Sequence, residues 1–212
     1  MSSVTASSAR PASGHTGRGA VVQPAWVRVT HWLNVVGAVV MVMSGWRVYN
    51  ASPLFAFRFP NSITLGGWLG GALQWHFAAM WLLAVNGLVY LVLNFVTGRV
   101  SKRFWPLSPR QLLSDFGAAL RGHLSHADPA RYNAVQKAAY VGAVVLLVLM
   151  VLSGLVLWKS VQFPLLRTLL GGYETARLVH FLGMCGLVFF VLVHVTMVVL
   201  VPRTLRTMVV GR

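Results

Sequence analysis

His180 and His194 stand 14 residues apart within one apolar segment, and no other feature constrains the chain as tightly. Fourteen residues at about 100° and 1.5 Å each return a helix to within about 40° of its starting face and advance it by about 21 Å. One helix therefore presents two imidazoles on nearly one face, each towards a different end. Ionisable groups in an apolar span are costly enough to imply a function and a partner. Partners are at hand, because His31 and His76 open the first and second apolar segments. Four helix-borne imidazoles can close two bis-histidine sites, which is how a helix bundle holds a pair of b-type haems.

Composition sets the surroundings. Of 212 residues, 57% are hydrophobic and only 10% charged, and the mean hydropathy is +0.69, values of a membrane protein. Four runs, 27–49, 73–96, 140–158 and 176–201, are each long enough to cross about 30 Å of hydrocarbon. The expected fold is all-α, an integral membrane four-helix bundle over residues 25–206. A disordered cytoplasmic tail is expected over 1–24 and a short cytoplasmic tail over 207–212. Between helices 2 and 3, residues 110–121 carry Leu112, Leu113, Phe116 and Leu120 on one face, the pattern of a short amphipathic helix on the inner leaflet.

The formal charge is +15, yet nucleic acid is not the expected partner. Thirteen of the eighteen Lys and Arg fall before or in the first turn of helix 1, between helices 2 and 3, or after helix 4, and five in the other two connections with their flanking turns. The positive-inside rule then puts both termini in the cytoplasm, and the charge meets anionic lipid headgroups. In this topology His31 and His194 share the cytoplasmic half, while His76 and His180 share the outer half. Swapped pairs would have to reach across most of the bilayer.

Arg28 and Arg177 each precede a histidine by three residues, which puts a bidentate donor one turn outward, at the depth of a haem propionate. An interfacial snorkelling arginine is the competing reading. Gly37, Ser44, Gly45, Gly142, Ser153, Gly154, Gly183 and Gly186 offer clearance for a flat macrocycle, or plain helix packing. Cys185 reads as a small packing residue, and His15, His123 and His126, with Asp128, as solvated positions. The glycines at 66, 67, 70 and 71 read as a turn in preference to a dimer contact. The stretch from Leu54 to Trp68 is too apolar for a solvated linker, so it is expected at headgroup level or against a partner. No nucleophile elbow, phosphate-cradling loop or CxxC pair occurs. The three acids, Asp115, Asp128 and Glu174, all lie outside the spans, so acid-driven proton transport is poorly supported.

An internal repeat is also expected. Residues 36–40 and Ser44-Gly45 recur as 141–145 and Ser153-Gly154, and His76-Phe77 recurs as His180-Phe181. The two helix pairs would then be parallel copies about an axis along the membrane normal. Tyr140 would stand where His31 is, and Tyr90 where His194 is.

At Arg28-Val-Thr-His31-Trp-Leu-Asn34, Gln74-Trp-His76-Phe and Arg177-Leu-Val-His180, with His194 beyond, the chain resembles the bacterial cytochrome b561 and nickel-hydrogenase b-type cytochrome family. The likeness covers about Gln23 to Arg206. It implies a four-helix bundle in the bacterial inner membrane, two b haems on the same histidine pairs, and electron transfer between the outer face and the quinone pool. Asn50-Ala-Ser-Pro53 and the Gly66–Gly71 stretch resemble the membrane subunits that accompany a periplasmic molybdopterin oxidoreductase. The family also implies quinone near the cytoplasmic haem, where Asn133 and Gln136 offer polar groups, with helix capping as their alternative role. Two other functions stay open: a self-sufficient superoxide:quinone oxidoreductase of the same architecture, and a small transporter whose histidines relay protons or bind metal.

Overall fold

The computed structural model describes residues 23–98 and 134–211. Within them every regular element is helical: α1 (Ala25–Ala51), a short 3-10 turn (Asn61–Ile63), α2 (Leu69–Val96), α3 (Ala134–Trp158), α4 (Pro164–Leu169), α5 (Tyr173–Leu200) and α6 (Pro202–Val209). Four of these helices are long and apolar enough to cross a membrane, as expected. Residues 110–121, His15, His123, His126, Asp128 and Asn133 lie outside the described residues.

Packing explains why these helices pair as they do. The α1 seam is Thr30, Gly37 and Ser44, and the α2 seam is Ala72, Ala79 and Asn86. Both step by seven residues, the period that keeps two helices in contact along a left-handed crossing. Small side chains there let the backbones approach closely. On α5 the same period holds Ala176 and Gly183. Large apolar side chains turn outward instead, as with Val85, Phe189 and Leu192, each at least 60% exposed. An apolar outer surface of this extent suits hydrocarbon.

Two antiparallel hairpins result, α1 on α2 and α3 on α5, and the closest backbone packing among the long helices lies within them. Side chains bridge the hairpins, Tyr49 stacking on Phe181 at 5.0 Å and Phe77 meeting Trp158 at 5.4 Å. These two contacts are images of one another in the expected repeat. Leu83 fills the notch at Gly37, and Leu146 fills the notch at Gly186.

The chain between α1 and α2 folds back on the end of α1. The Asn50 carboxamide bonds both backbone groups of Phe59, at 2.8 and 2.9 Å. Arg47 donates to Asn61 Oδ1 at 2.5 Å and to the Gly67 carbonyl, while Phe59 stacks on Trp46 at 4.8 Å. The aromatic stretch therefore packs on its own helix, leaving Phe55 and Phe57 partly exposed. Gly66 and Gly67 have φ of 106° and 70°, backbone values that favour glycine, which supports the turn reading. We call this end of the bundle the loop end, and the end where α1 starts the N-terminal end.

At the N-terminal end, Pro202 closes α5 because it lacks an N–H and drives the preceding residue out of the helical region. Val201 accordingly has φ −125° and ψ 73°. The chain then turns into α6, whose end docks on α1. Residues 207–209 are therefore part of a docked helix. Cys185 is exposed on α5, whereas the sequence reads it as a small packing residue.

Candidate haem-binding sites

His31 on α1 and His194 on α5 face each other between the two hairpins with ring centroids 6.2 Å apart. A metal bound by two imidazole nitrogens at about 2 Å each, with each nitrogen about 1 Å from its ring centre, separates the centroids by about 6 Å. The observed separation fits a single ion held between the two rings. Phe190, one turn before His194, stacks on its ring at 6.2 Å. Among the described residues neither imidazole has a hydrogen-bonding partner on its ring nitrogens.

The histidines at the loop end are held differently. Ser44 Oγ lies 3.0 Å from His76 Nδ1, and Ser153 Oγ lies 2.9 Å from His180 Nδ1. Both serines are fully buried. Each hydroxyl also lies within hydrogen-bonding distance of a carbonyl four residues back, Val40 at 2.6 Å and Leu149 at 2.7 Å. A hydroxyl has one proton. Given to the carbonyl, it leaves the oxygen as acceptor for Nδ1–H. That puts the proton on Nδ1 and leaves the Nε2 lone pair for a metal, the usual division of labour in a metal-binding histidine. A neutral Nε2 donor on each ring suits the axial bonds of a b-type haem.

Gly45 and Gly154 make this approach possible. A Cβ at Gly45 would lie 3.4 Å from His76 Cε1, and one at Gly154 would lie 3.3 Å from His180 Cε1. These two glycines therefore border the imidazoles. Gly37, Gly183 and Gly186 admit Leu83, Met150 and Leu146, whereas Gly142 borders open space. The doubled Ser-Gly dipeptide was the visible signal for the serine contacts, though nothing in one chain segment says which histidine it meets.

The two arginines are engaged with protein groups. Arg28 Nη1 donates to the Val209 carbonyl at 2.8 Å, and its buried Nε has no hydrogen-bonding partner among the described residues. Trp32 Nε1 reaches the Met208 carbonyl at 3.2 Å, so α1 holds the end of α6 at two points. Arg177 Nη1 donates to Glu174 at 2.8 Å, and Nη2 to the Ser52 carbonyl at 2.6 Å. Gln136 lies on α3. A further polar group, absent from sequence expectations as a site, is Asn86, 5% exposed, which bonds Thr30 and Asn34.

Comparison with known proteins gives these sites a context. A family profile described as prokaryotic cytochrome b561 matches residues 22–211. A relative from Azospira oryzae, named protein-methionine-sulfoxide reductase subunit YedZ1, is 65% identical over 190 residues, covering 90% of this chain and 96% of its own. A relative from Bradyrhizobium diazoefficiens, named a Ni/Fe-hydrogenase B-type cytochrome subunit, is 26% identical over 190 residues, covering 82% of this chain and 75% of its own. No solved structure matches the chain. With four membrane-crossing helices and a family match over nearly its whole length, the chain belongs to the prokaryotic cytochrome b561 family, as a multi-pass b-type cytochrome of electron transfer in the bacterial inner membrane.

Proposed function

We propose that residues 25–206 form one domain holding two b haems, one between His31 and His194 and one between His76 and His180. The observation that carries this reading is the facing of His31 and His194 across the hairpins at 6.2 Å. The Ser44–His76 and Ser153–His180 contacts support the second pair. Bound haem supplies one-electron redox chemistry, and the protein supplies axial ligands, orientation and a low-dielectric setting. Arg28 and Arg177 are the cations nearest each pair in sequence. The Arg28 guanidinium already holds the Val209 carbonyl, so a propionate would share it, and at Arg177 a propionate would exchange with the exposed Glu174 carboxylate.

Distribution of Lys and Arg favours the N-terminal end as cytoplasmic. Quinol then delivers electrons near His31 and His194, with Asn133 and Gln136 as candidate polar contacts. Electrons leave past His76 and His180 to a periplasmic subunit. The likeness to YedZ1 favours a protein-methionine-sulfoxide reductase as that partner, and a molybdopterin enzyme, as expected from the sequence, is consistent with it. There a methionine sulfoxide would take two electrons and two protons to give methionine and water.

The test is a reduced-minus-oxidised absorbance spectrum of the purified protein with haem counted per chain, followed by reduction with a short-chain quinol. Two b haems per chain, reducible by quinol, is the expected result. One haem or none refutes the pairing.

A further inference from the structure

Asn86, buried on α2, and Asn34, exposed on α1, form an amide couple between the two helices. Asn86, on α2 and 5% exposed, donates through Nδ2 to the Thr30 carbonyl at 2.8 Å and to Asn34 Oδ1 at 2.6 Å. The Thr30 carbonyl can only accept. It therefore fixes which end of the Asn86 amide faces α1, and the second N–H of that amide in turn fixes Asn34. With its Oδ1 engaged, Asn34 turns its own NH2 away from α2, and the residue is exposed.

The position of that NH2 matters. Asn34 follows His31 by three residues, so it sits about 4.5 Å farther along α1 and about 60° around it. A donor pair is thus held on the flank of the His31 face, within the apolar span. Polar side chains at such depth are costly unless they are satisfied.

The repeat sets these polar groups in one hairpin only. The Ser-Gly register of α1 and α3 and the His-Phe register of α2 and α5 align Thr30, Asn34 and Asn86 with Ala139, Ala143 and Phe190. The second hairpin carries none of the three polar groups at those positions. Their presence in one copy only sets them beside one histidine pair.

We propose that Asn34, oriented by Asn86, donates a hydrogen bond to a carbonyl oxygen of a quinone bound beside His31. This rests on the reading of His31 and His194 as haem ligands and extends it, since it names the residues that recognise the quinone. Asn34 is the binding residue and Asn86 the positioning one.

The experiment uses Asn34→Ala and Asn86→Leu in the full chain, with a short-chain ubiquinol and a short-chain menaquinol as probes. Haem per chain and the dithionite-reduced spectrum are read first, then haem reduction against quinol concentration. Expected is unchanged haem content with the quinol concentration for half-maximal rate raised at least tenfold in Asn34→Ala. Asn86→Leu should show a similar rise, and Asn34→Gln a smaller one because it keeps an NH2. Unaltered quinol dependence in Asn34→Ala overturns the proposal, as does loss of haem in that variant, which would make the couple structural. Wild-type protein that binds haem yet is not reduced by either quinol would refute the quinone reading itself, a different result from either.

Discussion

Ser153 Oγ sits 2.9 Å from His180 Nδ1, and the repeat reproduces this contact at Ser44 and His76 with 3.0 Å. A hydrogen bond on the far nitrogen makes an imidazole a stronger base towards iron and favours the ferric state. Among the described residues the His31 and His194 rings have no such contact. The two sites therefore differ in the property that sets potential, with the loop-end pair as the more strongly donating one.

Removing the hydroxyls should reveal that difference. In Ser44→Ala and Ser153→Ala, haem stays bound while the potential of one haem rises on the order of 50 mV, about a tenfold shift in the preference for ferric over ferrous iron. The other haem should keep its potential. A redox titration that resolves two components checks this, and equal shifts in both components would refute it.

Histidine replacements should fall into two spectral classes. His31→Ala and His194→Ala should lose the same haem, and His76→Ala and His180→Ala the other, each leaving about half the haem of the parent. Low-temperature absorbance of the four variants is the measurement. A match between His31→Ala and His180→Ala would mean that the pairs are drawn wrongly.

Bulk at Gly154 should act on one site alone. The 3.3 Å separation from His180 Cε1 leaves alanine tolerable after a shift of a few tenths of an ångström. Valine adds two methyl groups where the ring lies, and overpacking of this kind costs about 1–3 kcal/mol. Gly154→Ala should keep two haems, and Gly154→Val should lose the loop-end haem. Gly45→Val should behave the same way.

Arg28 should anchor α6. Its bond to the Val209 carbonyl satisfies one of the carbonyls left open at a helix end, and a surface bond of this sort contributes about 1 kcal/mol. Arg28→Ala should speed hydrogen exchange in residues 202–209 about fivefold. If a haem propionate also meets Arg28, the His31–His194 haem will bind more weakly in the same variant, whereas Trp32→Phe should loosen α6 alone.

Much of this protein is legible in its sequence because a bilayer leaves few choices. Hydrocarbon forces every backbone group in a span to bond within its own helix, so apolar length alone gives four helices, with ends within a few residues of the spans observed. Helical periodicity is equally rigid, and for that reason the 14-residue interval between His180 and His194 puts two imidazoles at opposite ends of α5. What tertiary structure decided is which groups meet between helices. The serines and glycines of the doubled dipeptide look interchangeable with other small residues along α1 and α3, and only the crossing of the helices sets them against His76 and His180. The same holds for Asn86, whose donors find Thr30 and Asn34 on another helix. Arg28 is committed by the turn at Pro202, which brings α6 back onto α1. Periodicity is a property of one helix, whereas hydrogen-bond partners depend on the register between two, and that register is set by how the whole seam packs.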